Sequence, residues 1–228
     1  MLSNKNITVL LKTLALVLAG FGSAQLQANT VEIPALANAV VLDGNPNNTT
    51  FAGVLASELN TSGRGSIWLS LLQFDLGSLG PVQVNSASLA LTTFTNHNFN
   101  AFSHQVFSSS DDSWTEASIN GVNRPADSSF TLLSATLIDG NSQTYTWDVL
   151  AGVVGTDGLG GSNNLLTLVV RPDLSQNNSS FGPHFWDRTA PIGAPKLTLD
   201  ISPVPEPASW ALLLAGGAFI LRRKRRTH

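Results

Sequence analysis

Between Asn29 and Pro203 the chain alternates apolar and polar residues in short runs broken by Gly, Asn, Ser and Pro. That spacing predicts strands, because successive side chains of an extended chain point to opposite faces. The expected strands are Ala39–Asp43, Ala52–Glu58, Ser66–Asp75, Val84–Phe94, Phe102–Phe107, Phe130–Leu137, Gln143–Val149, Leu165–Val170, His184–Asp187 and Lys196–Ile201. Tyr145, Trp147 and Val149 share one face, as do Leu166, Leu168 and Val170, and Leu197, Leu199 and Ile201. Ser66–Asp75 is apolar on both phases, with Ile67, Leu69 and Leu71 on one and Leu72 and Phe74 on the other. Either that strand is buried on both faces, or a bulge between Leu71 and Leu72 resets the phase. Only Asp148–Val154 invites a short helix, stopped at Gly155. Many short strands joined by turn residues predict an all-β, jelly-roll-like β-sandwich.

The two ends follow different rules. Lys5 and Lys12 flank or enter a mostly apolar Val9–Phe21, and small residues follow, which predicts a secretory signal peptide over residues 1–28. Cleavage fits after Ala24 or after Ala28. Residues 204–228 begin with the stiff Pro205-Glu206-Pro207, continue as the uncharged run Ala208–Leu221, and end in Arg222-Arg223-Lys224-Arg225-Arg226. As a helix the fourteen-residue run measures about 21 Å, short of the ~20 residues of a comfortable membrane span. A buried core helix, a permanent anchor and a temporary membrane segment with its basic end inside are the readings open to it. The domain between these ends covers residues 29–203.

Charge changes the picture of that domain. The whole chain has a formal net charge of −3, but residues 29–202 hold only Arg64, Arg124, Arg171, Arg188 and Lys196 against fourteen Asp and Glu, a net of −9. Such a surface argues against nucleic acid and anionic membranes as partners. It tolerates cations or neutral glycans. The absence of cysteine excludes disulfides and Cys-ligated zinc, so stability must come from the core or from other ions.

The order Pro-Glu-Pro, apolar segment with Gly216-Gly217, arginine cluster resembles a PEP-CTERM sorting signal. The resemblance implies export by the Sec translocon, removal of the leader by signal peptidase, and transient residence in the inner membrane of a Gram-negative bacterium. It further implies recognition by an exosortase and release or re-attachment at the cell surface. A second resemblance covers residues 39–201. Leu72-Gln73-Phe74-Asp75-Leu76, Val84–Leu91, Ser113–Ile119 with Asn123-Arg124-Pro125-Ala126, Trp147-Asp148-Val149 and Pro195–Leu199 are similar to the motifs of DNRLRE-type domains, which overlap carbohydrate-binding module family 96. Gln73 stands where that family has arginine. Gly121-Val122 interrupts its tryptophan segment, and Trp186–Thr189 departs from its last motif.

Candidate chemistry gathers at a few places. Asp111, Asp112, Trp114 and Glu116 form the densest polar and aromatic group: a platform for a sugar ring beside acidic acceptors or calcium ligands, or else a core Trp114 with Glu116 paired to Arg124 or a nearby backbone N–H. Calcium takes six to eight oxygens. Asp43-Gly44-Asn45 and Asp157–Asn164 are rich in them, with Asp43 the first expected ligand of a structural calcium, and Asp111 and Asp112 next. Trp186, Asp187 and Arg188 either flank a binding groove or form a surface pair of opposite charge. Trp68 is either second-layer core or an exposed sugar-stacking side chain. No G-x-S-x-G, H-E-x-x-H or P-loop is present, and His97, His104 and His184 have no acidic partner at ligand spacing, so no catalytic residue is assigned. The expected function is non-catalytic binding of exopolysaccharide at the cell surface or in the matrix of a biofilm. A purely structural matrix protein and a polysaccharide-degrading enzyme, whose paired carboxylates would be set in space and not in sequence, are the alternatives.

Overall fold

The computed structural model describes residues 28–47, 53–60, 66–94, 101–155, 163–176 and 182–204. The expected signal peptide and sorting signal lie outside them, as do His97 and most of the Asp157–Asn164 loop. Among the described residues no helix is long and apolar enough to cross a membrane. The elements in chain order are β1 (Asn29–Pro34), β2 (Ala37–Leu42), β3 (Val54–Ala56), β4 (Glu58–Asn60), β5 (Ser66–Asp75), β6 (Val82–Thr92), β7 (Phe102–Ser109), β8 (Phe130–Ile138), β9 (Thr144–Asp148), the one-turn helix α1 (Leu150–Val153), β10 (Leu165–Pro172), β11 (His184–Trp186) and β12 (Lys196–Pro203).

The strands form two antiparallel layers. One sheet runs β1-β12-β6-β9. The other runs β2-β5-β10-β7-β8, with β4 also on β5, and β3 and β11 make a small ribbon. A bridge between Thr93 and Phe185 joins that ribbon to the end of β6. Leu89, Leu91, Trp147, Leu197 and Leu199 from the first sheet meet Leu72, Phe74, Val106, Leu166, Leu168 and Val170 from the second. Each such side chain, fully buried, contributes about 1.5–3 kcal/mol. At one side the layers are closed by hydroxyls on β8: Ser134 and Thr136 donate to the β9 carbonyls of Asp148 and Thr146 at 2.7 and 2.6 Å.

β5 is buried on both faces. Leu72 and Phe74 enter the core between the sheets, while Leu69 and Leu71 enter a second core on the outer side of the β5–β10 sheet. The pairing of β5 with β2 and with β10 is continuous across Leu71 and Leu72, so no bulge is there. Bulges occur instead where Asn85 is extra opposite Asp200/Ile201, and where Leu133 is extra opposite Val106/Phe107.

The second core is covered by residues 110–129, which hold turns and one 3-10 turn (Asp127–Ser129) but no strand or α-helix. Trp114 and Ile119 lie over Val41, Leu69, Leu71, Phe107 and Val169. The Trp114 indole N–H donates to the Thr167 hydroxyl at 3.2 Å, and the Gln73 amide donates to the Asp112 carbonyl at 2.9 Å. Gly121 brings this cover against the end of β2. Its N–H donates to the Asn45 carbonyl, and its own carbonyl accepts from Gly44. A Cβ at Gly121 would lie 1.7 Å from the Leu42 carbonyl oxygen. The Gly-Val interruption of the motif is thus where the cover meets the sheet.

Two expectations are corrected. β1 is a strand that the hydrophobic pattern does not announce: only Ile33 is well buried, and Pro34 suits an edge position. Its pairing with β12, Ile33 opposite Leu197, decides it. The expected Ala52–Glu58 strand is divided, since β3 pairs with β11 and β4 with β5, with Ser57 between them.

Trp114→Ala is expected to cost about 3–5 kcal/mol in urea unfolding. A loss under about 1 kcal/mol would show that the indole is not filling the outer core. Gly121→Ala should destabilise by ~1–3 kcal/mol or more, because the contact it creates is with backbone.

Candidate functional site

The groups picked out by sequence separate into a structural set and an exposed set. Trp114 is 8% exposed, which leaves no face for a sugar ring. Asp111 accepts from the backbone N–H and hydroxyl of Ser113 at 3.1 and 2.7 Å, closing its own turn. Glu116 pairs with Arg188, not with Arg124: Nε and Nη2 of Arg188 donate at 2.6 and 2.8 Å, and the Asn38 N–H donates at 2.6 Å. Both partners converge on the start of β2, since the Arg188 N–H donates to the Asn38 side-chain oxygen at 2.8 Å. Arg124 instead reaches the far end of β2, donating to Asp43 from Nε and Nη2 at 3.0 and 2.8 Å and to Asp127 at 2.6 Å. Arg171 donates to the other oxygen of Asp127 and lies 4.4 Å over the Phe107 ring. The cover is therefore tied at both ends of β2.

Asp187 and Arg188, neighbours of opposite charge, turn to different partners. Asp187 is nearly buried and accepts from Gly53 N–H at 3.0 Å and from the N–H and hydroxyl of Thr189 at 2.9 and 2.7 Å. Asp43, the first ligand expected for calcium, gives one oxygen to both Arg124 nitrogens. Among the described residues no three His, Asp or Glu side chains gather as a metal site. Asp43, Asp111 and Asp112 as they stand do not fit a calcium cage.

Trp186 has a different setting. Phe185 points into the core beside Leu55, so by alternation His184 and Trp186 point outward. Thr93 bridges Phe185, which sets Phe94, two residues past the outward Thr92, beside His184. The Phe94 ring lies 4.7 Å from Trp186, tilted by 41°, and stacks 6.1 Å from His184, all three half-buried. Gly193 packs its backbone against Trp186 and Thr92, where a Cβ would lie 2.7 Å from the indole. Glu58 holds the His184 Nε2 at 2.8 Å and is the cross-strand partner of the half-buried Trp68. Trp68, His184, Phe94 and Trp186 thus follow one another, with the buried Glu58 joining Trp68 to His184. From the aromatic stack the outward face of the first sheet continues in Thr92, Ser88, Thr144, Thr146 and Thr198. Sequence reasoning selected Trp68 and Trp186 and passed over Phe94, Glu58 and His184. The available signal was Phe94 standing on the polar phase of its strand.

One buried group belongs to neither set. His104 is fully buried, its Nδ1 2.8 Å from the Ser57 hydroxyl, while Nε2 has no partner among the described residues. Burial holds it neutral, pushing its pKa from 6.5 down to about 3. The unfolded chain takes up that proton near 6.5, and the folded one does not until about 3. His104 therefore costs no stability above pH 6.5, and stability falls as pH drops below that value, by up to about 1.4 kcal/mol per pH unit. Glu116, held below the usual carboxylate range chiefly by the Arg188 fork, adds a loss only at lower pH, as it protonates. Urea unfolding should lose roughly 2 kcal/mol between about pH 7 and pH 5. In His104→Gln this slope should flatten; an unchanged slope would assign it to other groups.

The chain matches none of the curated proteins. Residues 29–183 match the family described as carbohydrate-binding module family 96; the match takes in β1 to β10 and the cover, and stops before β11, with His184 and Trp186, and before β12. On that match, which takes in well over half of the chain, the protein belongs to carbohydrate-binding module family 96.

Proposed function

We propose that this protein is an exported, non-catalytic module that binds exopolysaccharide through the Phe94–His184–Trp186 surface, with Trp68, Glu58 and the neighbouring hydroxyl row as its flanks. Membership of a carbohydrate-binding family supports the ligand class. The observation that carries the site is three neighbouring half-buried rings, Phe94 just past the end of β6 and His184 and Trp186 at the outward positions of β11. Aromatic faces offer sugar C–H groups an apolar seat, and threonine hydroxyls supply hydrogen bonds around it. The leader and the Pro205-Glu206-Pro207 tail support passage through the Sec translocon, signal peptidase cleavage, a transient stay in the inner membrane and processing by an exosortase to the cell surface or beyond.

Affinity electrophoresis of the purified full chain through polysaccharide gels tests the binding. Trp186→Ala and Phe94→Ala should weaken retention roughly two- to tenfold each, with no release of reducing sugar from any gel. Retention unaffected by both changes would move the site elsewhere. For sorting, mass spectrometry of the protein outside the cell should find an N-terminus at Gln25 or Asn29 and, only in cells that hold the exosortase, a chain lacking Ala208–His228. Because Arg124 already occupies Asp43, EDTA should leave the melting temperature unchanged. A clear fall would place a stabilising calcium ion on the chain, with Asp157–Asn164 the next stretch to test.

A further inference from the structure

We infer that the domain stands on the membrane by the end of the first sheet that carries Asn29 and Val204, with the Phe94–Trp186 surface turned away. This rests on the export reading above and adds the domain's orientation to it. Strand register fixes the direction. β1 and β12 are antiparallel neighbours, with Asn29 opposite Ile201. The expected leader therefore ends, and the tail begins, on adjoining strands at one end of the sheet. β12 runs to Pro203, and Val204–Pro207 alone separate it from the apolar Ala208–Leu221. Those four residues span at most about 14 Å. The Arg222–Arg226 cluster belongs on the inner side of the bilayer, so Val204 leaves on the outer side. A central strand held that close leaves the domain no room to turn over.

The other end of the same sheet carries the rings. Pro203 pairs with Val82 and Lys196 with Ala90, so β6 leads away from the tail. Its eleven residues put Thr92 about 33 Å along the strand from Val82. Phe94 follows two residues later, beside Trp186. Charge suits the tail end to a lipid surface. Carboxylates held there would be repelled by anionic headgroups within a Debye length, about 8 Å. Although the domain is acidic, Asn29–Val31, Gly77–Ser86 and Ile201–Val204 carry no charged side chain. Pro81, Gln83, Pro203 and Val204 are exposed among them. The acidic groups next to this rim are Asp75, which accepts from the Gly77 N–H at 2.8 Å, and Asp200, opposite Thr30 and Ser86. Glu32 comes one pair further in, opposite Thr198, and Asp157 lies outside the described residues. The rings are thus open to a polymer while the tail is still in the bilayer.

The chain has no cysteine, so a single substitution takes a single label. Gln83→Cys marks the tail end of β6. Ile192→Cys, at a residue 81% exposed and next to the Gly193 that packs on Trp186, marks the ring end. Each variant is purified with its tail from cells that lack the exosortase, labelled with a fluorophore, and placed in phosphatidylcholine vesicles whose headgroups carry a nitroxide quencher. Quenching should be roughly threefold or more stronger for Gln83→Cys, since that position lies within the ~14 Å tether and the other about 33 Å beyond it. Equal quenching, or stronger quenching for Ile192→Cys, would overturn the orientation and leave the membrane stay standing. A chain that does not float with the vesicles would overturn the membrane stay itself, and the orientation with it.

Discussion

The requirement that the β5–β10 sheet be covered on both faces shapes the rest of the molecule. Antiparallel sheets commonly leave one face to water and show a clean alternation. Here Leu69, Leu71 and Val169 are as deeply buried as Leu72, Leu168 and Val170 on the opposite face. The first sheet covers one side. On the other side no sheet or α-helix is available, and a stretch of turns does the work with Trp114 and Ile119, Phe130 packing beside them. A cover without regular structure must have its backbone polar groups and its position fixed one by one. That explains the density of local turns, the glycine pressed against β2, and the guanidinium groups at its ends.

Those guanidinium groups take a structural part that disulfides fill in many exported proteins. With no cysteine in the chain, Arg124 ties β2 to Asp127, Arg171 ties the same aspartate to β10, and Arg188 ties β2 to the turn carrying Trp114. Planar, multiply donating side chains suit this role better than lysine, because one group fixes both distance and direction. The arrangement also has a functional consequence. It holds Arg124, Arg171 and Arg188 by the second sheet and its cover, and leaves the outer face of the first sheet to hydroxyls, carboxylates and Lys196.

The motif Ser113–Ala126 and the stacked rings illustrate how family likeness and site can part company. The motif is where the family resemblance is densest, yet its tryptophan is core and its glutamate an anchor. The rings come from a strand end and a three-residue strand, and the sequence between Phe94 and His184 spans about half of the domain. Trp186 is reached by sequence reasoning because tryptophan is rare and conspicuous. Phe94 and His184 are not, since nothing local says that β11 will lie beside β6.

Period-two spacing determined the strands with well-filled apolar faces, β5, β6, β7, β9, β10 and β12, since each carries its burial pattern within itself. The two-sided burial of β5 was also legible, as one of two readings, from Leu71 and Leu72 in succession. The sequence alone likewise determined the acidity of residues 29–202 and the lack of disulfides. Tertiary structure decided what depends on partners distant along the chain: that Asn29–Pro34 is a strand, that Ala52–Glu58 divides between two pairings, that Arg188 and not Arg124 meets Glu116. It also decided which tryptophan faces outward. The physical reason is the same in each case: register, ion pairing and exposure are properties of two segments brought together, and a single stretch of sequence holds only half of each.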